Sequence, residues 1–165
     1  MIICLISALI FVGGRVSAIR ERKEEYLAVC SLLLHIRGKL ASGGGALCEI
    51  LRDFRSDILD KNGTLACLGA NGALPPSAHG ADSGFFRDKL SYVTFLHERE
   101  DSDKLASYFA NFGRSYIDEE RKKLDEVIGY FEKKAASVSE RSEKDIKTTM
   151  ILFAFFFVGA FILIL

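Results

Sequence analysis

The chain has 165 residues, 22 basic and 22 acidic side chains, 49% hydrophobic residues, four cysteines and no tryptophan. No Lys, Arg, Asp or Glu occurs in residues 1–14 or 148–165, so the charged side chains all lie between, where about one residue in three is charged against an ordinary ~25%. Two lipid-compatible ends around a charged middle exclude a plain soluble protein, a disordered chain and a multi-span transporter, and zero net charge removes the electrostatic case for nucleic-acid binding.

The first apolar run, Met1 to Gly14, is short for a membrane span. It spans if the helix runs on through Val16, Ala18 and Ile19, with Arg15 snorkelling to the headgroups, which gives an N-terminal transmembrane helix over residues 1–18. Val16-Ser17-Ala18 also resembles a signal-peptide cleavage site, but no Lys or Arg precedes the apolar run, so an uncleaved span is the favoured reading.

Residues 19–147 read as a helical bundle. Tyr26, Val29, Leu33, Ile36 and Leu40 repeat at three and four residues, one stripe of a helix that continues from the first span and stops at Gly43-Gly44-Gly45. A second helix carries Leu47, Ile50, Leu51, Phe54 and Ile58 on one face and ends at Asp60-Lys61-Asn62-Gly63. Thr64 is placed to cap a short third helix through Leu68. Glycines and prolines then crowd residues 69–84, a long loop that is either flexible or a contact element. Phe86, Leu90 and Val93 mark a helix ending near His97. Glu98 to Asp103 reads as a polar break with Ser102 as N-cap, followed by a helix with Leu105, Phe109 and Phe112 that stops at Gly113. The last helix carries Ile117, Leu124, Ile128, Phe131, Ala135 and Val138, and no proline interrupts it before the chain's end.

That end, Thr148 to Leu165, is the stronger membrane candidate. Eighteen residues make roughly 27 Å of helix, close to a ~30 Å hydrocarbon core, and twelve of them are Ile, Leu, Phe or Val. The summed insertion preference is about −4 to −7 kcal/mol with no charge opposing it. The expected fold is thus all-α: a membrane-anchored bundle of about five or six helices between two transmembrane helices. Arg15, Arg20, Arg22 and Lys23 follow the first span, and Arg141, Lys144 and Lys147 precede the second. This bias sets the topology, with the middle cytoplasmic and both termini outside.

No catalytic constellation stands out. His97-Glu98-Arg99-Glu100 lacks the second histidine of a zinc protease, and His35, His79 and His97 fall in three separate contexts. Gly43-Gly44-Gly45 lacks the lysine and hydroxyl that finish a phosphate loop, so it reads as a helix stop. Asp118, Glu119 and Glu120 beside Arg121, Lys122 and Lys123 suggest a solvated helix face. Cys4, Cys30, Cys48 and Cys67 show neither metal-ligand nor C-x-x-C spacing, which suits reduced structural thiols. No metal, cofactor or enzyme activity is expected.

An apolar ladder from Tyr26 running into Gly43, Leu47 and Glu49, with Phe112-Gly113 and Glu120 opening a long charged helix towards a terminal apolar run, resembles the stage III sporulation protein AB family. That family is related to the F protein of type II secretion systems. Leu47 would face the core, and Glu49 would sit favourably near a helix N-terminus. Ile117 and Leu124 stand where the family tends to carry glycine and glutamine. The resemblance implies a non-enzymatic subunit of the channel apparatus between mother cell and forespore, in the mother-cell membrane facing the forespore. It would act as an assembly platform contacting a companion secretion-type ATPase, other membrane channel subunits and lipid, and homo-oligomerisation stays open. The alternative is a membrane-anchored adaptor or sensor outside sporulation, suggested by the 69–84 loop.

Overall fold

The computed structural model describes the backbone of residues 2–43, 46–68 and 98–162, and the side chains of residue 10 and of residues 12–43, 46–68 and 98–159. The helix expected over Phe86–His97 and the loop at 69–84 lie outside the described residues, as do His79 and His97, and the Cys4 side chain is likewise not described. Six helices are present among the described residues, and no strand: α1 Ile2–Ala41, α2 Leu47–Asp53, α3 Asp57–Lys61, α4 Thr64–Leu68, α5 Arg99–Asn111 and α6 Ile117–Ile162. The chain divides into two compact units, Glu25–Lys134 and a second one combining Met1–Glu24 with Ala135–Leu165.

Glu25–Lys134 is a helical bundle. The α1 ladder is buried as its spacing requires: Tyr26, Val29, Leu33 and Ile36 are fully enclosed and Leu40 nearly so, with Leu32 added to the stripe. Leu51, Leu59, Leu65 and Leu68 of the short helices are buried as well, as are Leu105 and Phe109 of α5 and Leu124, Ile128 and Phe131 of α6. Each such side chain contributes about 1.5–3 kcal/mol when fully buried, and this shared core stabilises helices of five to seven residues that could not persist alone. Ile117, expected on the inner stripe of α6, is instead exposed, because it opens the helix ahead of the first buried turn at Glu120.

Polar clips fix how the helices meet. Arg121 on α6 donates from Nη2 to the Leu40 carbonyl at 3.0 Å, satisfying one of the orphan acceptors at the end of α1. Arg37 reaches Asp125 at 3.4 Å, and Lys39 reaches Asp53 at 2.6 Å, where the ammonium holds the Asp53 carboxyl below its usual range. Asn62 donates to Glu25 Oε1 at 2.8 Å, tying the α3–α4 turn to α1.

Three local expectations are corrected. The helix expected from Leu47 to Ile58 is two helices, because Phe54 turns extended (ψ 139°) and Ser56 starts a new helix, its hydroxyl accepting from the Leu59 amide at 3.4 Å. The break shifts the register, so Leu59 is fully enclosed and Ile58 only half-buried. Thr64 does not cap α4 from outside; it is the helix's first residue, fully buried, and its Oγ1 has no hydrogen-bond partner among the described residues. Finally, α5 starts at Arg99 with Glu98 as N-cap, so Ser102 lies within the helix. The stretch expected to be a polar break is its first turn.

In the second unit, Val16, Val138 and Ser142 are buried, and Lys23 lies 3.9 Å from Glu143. From Met150 to Val158 the picture reverses. Met150, Ile151, Leu152, Phe155, Phe156, Phe157 and Val158 are all about half exposed or more (48–72%), and at 100° per residue they cover every side of the helix. Among the described residues, however, no helix is long and apolar enough to cross a membrane. The charge-free part of α6 with described side chains runs from Thr148 to Gly159, about 18 Å of helix, and the spans expected at 1–18 and 148–165 extend into residues whose side chains are not described.

Candidate functional site

Asp101, in the first turn of α5, is 0% exposed and collects partners from two other helices. Its Oδ2 accepts from Tyr26 Oη on α1, and its Oδ1 accepts from Tyr130 Oη on α6 at 2.6 Å. Lys134 Nζ lies 3.4 Å from Oδ1 and also donates to Glu98. The bond to Glu98 and the neighbouring Asp101 charge outweigh burial, holding the Lys134 ammonium above its usual range. Burial, reinforced by the hydrogen bond to Asp101, raises the Tyr130 hydroxyl. One carboxylate thus ties α1, α5 and α6 together with every bond charge-assisted. Sequence reading missed it by treating Glu98–Asp103 as a break. The available signal was spacing: Asp101, Leu105, Tyr108 and Phe109 follow i, i+4, i+7, i+8, which places Asp101 on the buried stripe.

A second polar cluster lies where α5 turns into α6. Gly113 adopts φ 76°, a left-handed conformation that side-chain-bearing residues rarely take, and its amide donates to Glu120 Oε2 at 3.3 Å. The Phe112 ring packs edge-on against Tyr108 at 5.9 Å between centroids. Phe112, Gly113 and Glu120, singled out separately in the sequence, are therefore neighbours. Glu120 is only 3% exposed, unlike Asp118 and Glu119, so the solvated-face reading holds for the first two acids of that run and fails for the third. An open groove of about 230 Å³ adjoins it, lined by Lys104, Tyr108, Asn111, Glu120, Lys123 and Val127.

Two outcomes follow from this turn. Ala at Gly113 meets open space but an unfavourable φ, so Gly113→Ala is expected to cost about 1–2 kcal/mol, read as a lower melting temperature, without altering the helical circular-dichroism signal. Burial also raises the Glu120 carboxyl above its usual range, more than the Gly113 amide and Lys123 lower it. A raised carboxyl stabilises the fold below the unfolded value near 4.5, and that contribution is lost as pH rises through the higher folded value. Glu120→Gln, which keeps an acceptor for Gly113, should therefore be at least as stable as the parent at neutral pH. It should also remove part of the parent's loss of stability above pH 4.5, as followed by thermal unfolding against pH.

The remaining residues singled out in the sequence are separate from these clusters. Gly43 ends α1 with φ 115°, and Glu49 is exposed in the first turn of α2. Leu47, expected to face the core, is half-buried, the core contacts of α2 being made by Ile50 and Leu51. Arg15, Arg20, Arg141, Lys144 and Lys147 are exposed, while Arg22 and Lys23 are half-buried. Lys144 pairs with Glu140 at 2.7 Å.

His35 Nε2 lies 3.2 Å from the Ile50 carbonyl with its ring against Phe54, the setting of a packing residue. Cys30 is buried, and burial pushes its thiol up to about 11, so it is protonated and unreactive at neutral pH. Cys48 and Cys67 are half-buried free thiols. Among the described residues no group of three or more His, Cys, Asp or Glu side chains is placed to hold a metal ion. No family model, curated protein or solved structure matches the chain.

Proposed function

We propose that the chain is a non-enzymatic membrane subunit of a sporulation-specific secretion or channel apparatus between mother cell and forespore, a platform for assembly and for docking a companion secretion-type ATPase. In this reading α1 and α6 are anchored in the membrane by their charge-free ends, residues 1–14 and 148–165, with the helical body on the cytoplasmic side.

The observation that carries the reading is the sleeve from Met150 to Val158. A helix apolar on every side is ordinarily buried in a core or in lipid, yet here seven large apolar side chains stay about half exposed or more among the described residues. The sequence continues the run with Ala160-Phe161-Ile162-Leu163-Ile164-Leu165, long enough with the sleeve to approach the hydrocarbon thickness. The sporulation assignment rests on the resemblance carried by Gly43, Leu47, Glu49, Phe112, Gly113 and Glu120.

The test is detergent purification of the full chain from sporulating cells in which the apparatus is assembled. Recovery of a secretion-type ATPase or other channel subunits with it is the expected result. Recovery of the chain alone, as a free monomer, would count against the platform role. A reporter fused after Leu165 should be active outside the cytoplasm.

A further inference from the structure

α1 and α6 run antiparallel: Leu40 meets Arg121, Arg37 meets Asp125 and Lys23 meets Glu143, so contacts climb α6 as they descend α1. Each residue towards the start of α1 is matched by one towards the end of α6, at about 1.5 Å per step. Continued from the Lys23–Glu143 pair, that spacing brings Arg20 to about the level of Ile146 and Arg15 to about the level of Ile151, roughly 6 Å beyond Lys147 along the axis. The first charge met on leaving the apolar end is therefore basic on both helices, Arg15 on one and Lys147 on the other. The band from 15 to 22 on α1 and 144 to 151 on α6 holds five basic side chains against two acidic ones, in a chain whose total charge is zero. Arg15, Arg20 and Lys147 are exposed and form no ion pair among the described residues, whereas Lys23 and Lys144 are paired with Glu143 and Glu140.

From this segregation of charge we infer that Arg15, Arg20 and Lys147 form a collar that binds the headgroups of anionic phospholipid, phosphatidylglycerol being the simplest example. The inference rests on the anchoring reading above and adds which lipid class the anchor selects. Basic side chains next to a buried apolar segment gain from the negative surface potential of an anionic leaflet. Arginine adds paired N–H donors matched to a phosphate, and its length lets Arg15 reach outward from its deeper level.

To test it, the purified full chain is reconstituted in equimolar phosphatidylglycerol and phosphatidylcholine, re-extracted, and the lipids retained are counted by mass spectrometry. The parent should retain phosphatidylglycerol over phosphatidylcholine by about threefold or more at ~0.1 M salt, falling towards parity near 1 M, where the screening length shrinks to ~3 Å. The triple variant Arg15→Gln, Arg20→Gln, Lys147→Gln should show parity at both salt concentrations while still reconstituting. Equal retention by the parent, or an undiminished excess in the variant, overturns the collar and leaves the anchor standing. Failure of the parent to enter either lipid overturns the anchor, and the collar with it.

Discussion

Asp101→Ala is expected to destabilise the helical body by about 3–5 kcal/mol, measured by thermal unfolding of the full chain in mild detergent. The magnitude follows from what the carboxylate leaves behind. Tyr26 is fully enclosed, so its hydroxyl loses its acceptor without water to replace it, at about 1–3 kcal/mol. Tyr130 loses a 2.6 Å bond, and Lys134 keeps only Glu98 as its acidic partner in this network. Asp101→Asn keeps the shape and one acceptor, so its loss should be clearly smaller. Tyr26→Phe removes the bond to Asp101 and should cost about 1 kcal/mol. A silent Asp101→Ala would mean that the three helices are held by apolar packing alone.

The second large effect separates two kinds of phenylalanine. Phe131→Ala opens a cavity at the centre of the bundle, where the ring is 0% exposed, and should cost about 3–5 kcal/mol in the same unfolding assay. Phe156→Ala removes a ring that is 54% exposed among the described residues and should leave that transition nearly unchanged, because it lies outside the buried core. On the anchoring reading its effect appears elsewhere, as weaker retention in membranes. Equal losses for the two variants would place Phe156 inside a protein core.

Helical periodicity made much of the fold legible in the sequence. The α1 ladder, the stop at Gly43, the turn at Gly113 and the apolar series from Leu124 to Val138 all lie where spacing and glycine chemistry put them. Three of the departures from that pattern fall on polar residues whose partners, rather than their type, decide their place. Ser56, in mid-pattern, restarts a helix because its hydroxyl competes for a backbone amide. Asp101 looked like loop and is the buried hub, because three donors from two other helices offset its desolvation. Glu120 looked solvated and is nearly enclosed, one turn inside its helix beside the Gly113 amide. Long-range donors of this kind leave no periodic trace in one sequence. The groove beside Glu120 was likewise illegible, since it is lined by residues from two helices joined across a turn.

The anchored state requires that the exposed apolar sleeve of α6 and the charge-free start of α1 reside in lipid. Alkaline carbonate extraction of membranes from cells expressing the full chain tests this most directly, because it strips peripheral proteins and leaves integral ones in the pellet. The chain should sediment with the membranes after the wash and enter solution only with detergent. Intact chain in the carbonate supernatant would contradict the account.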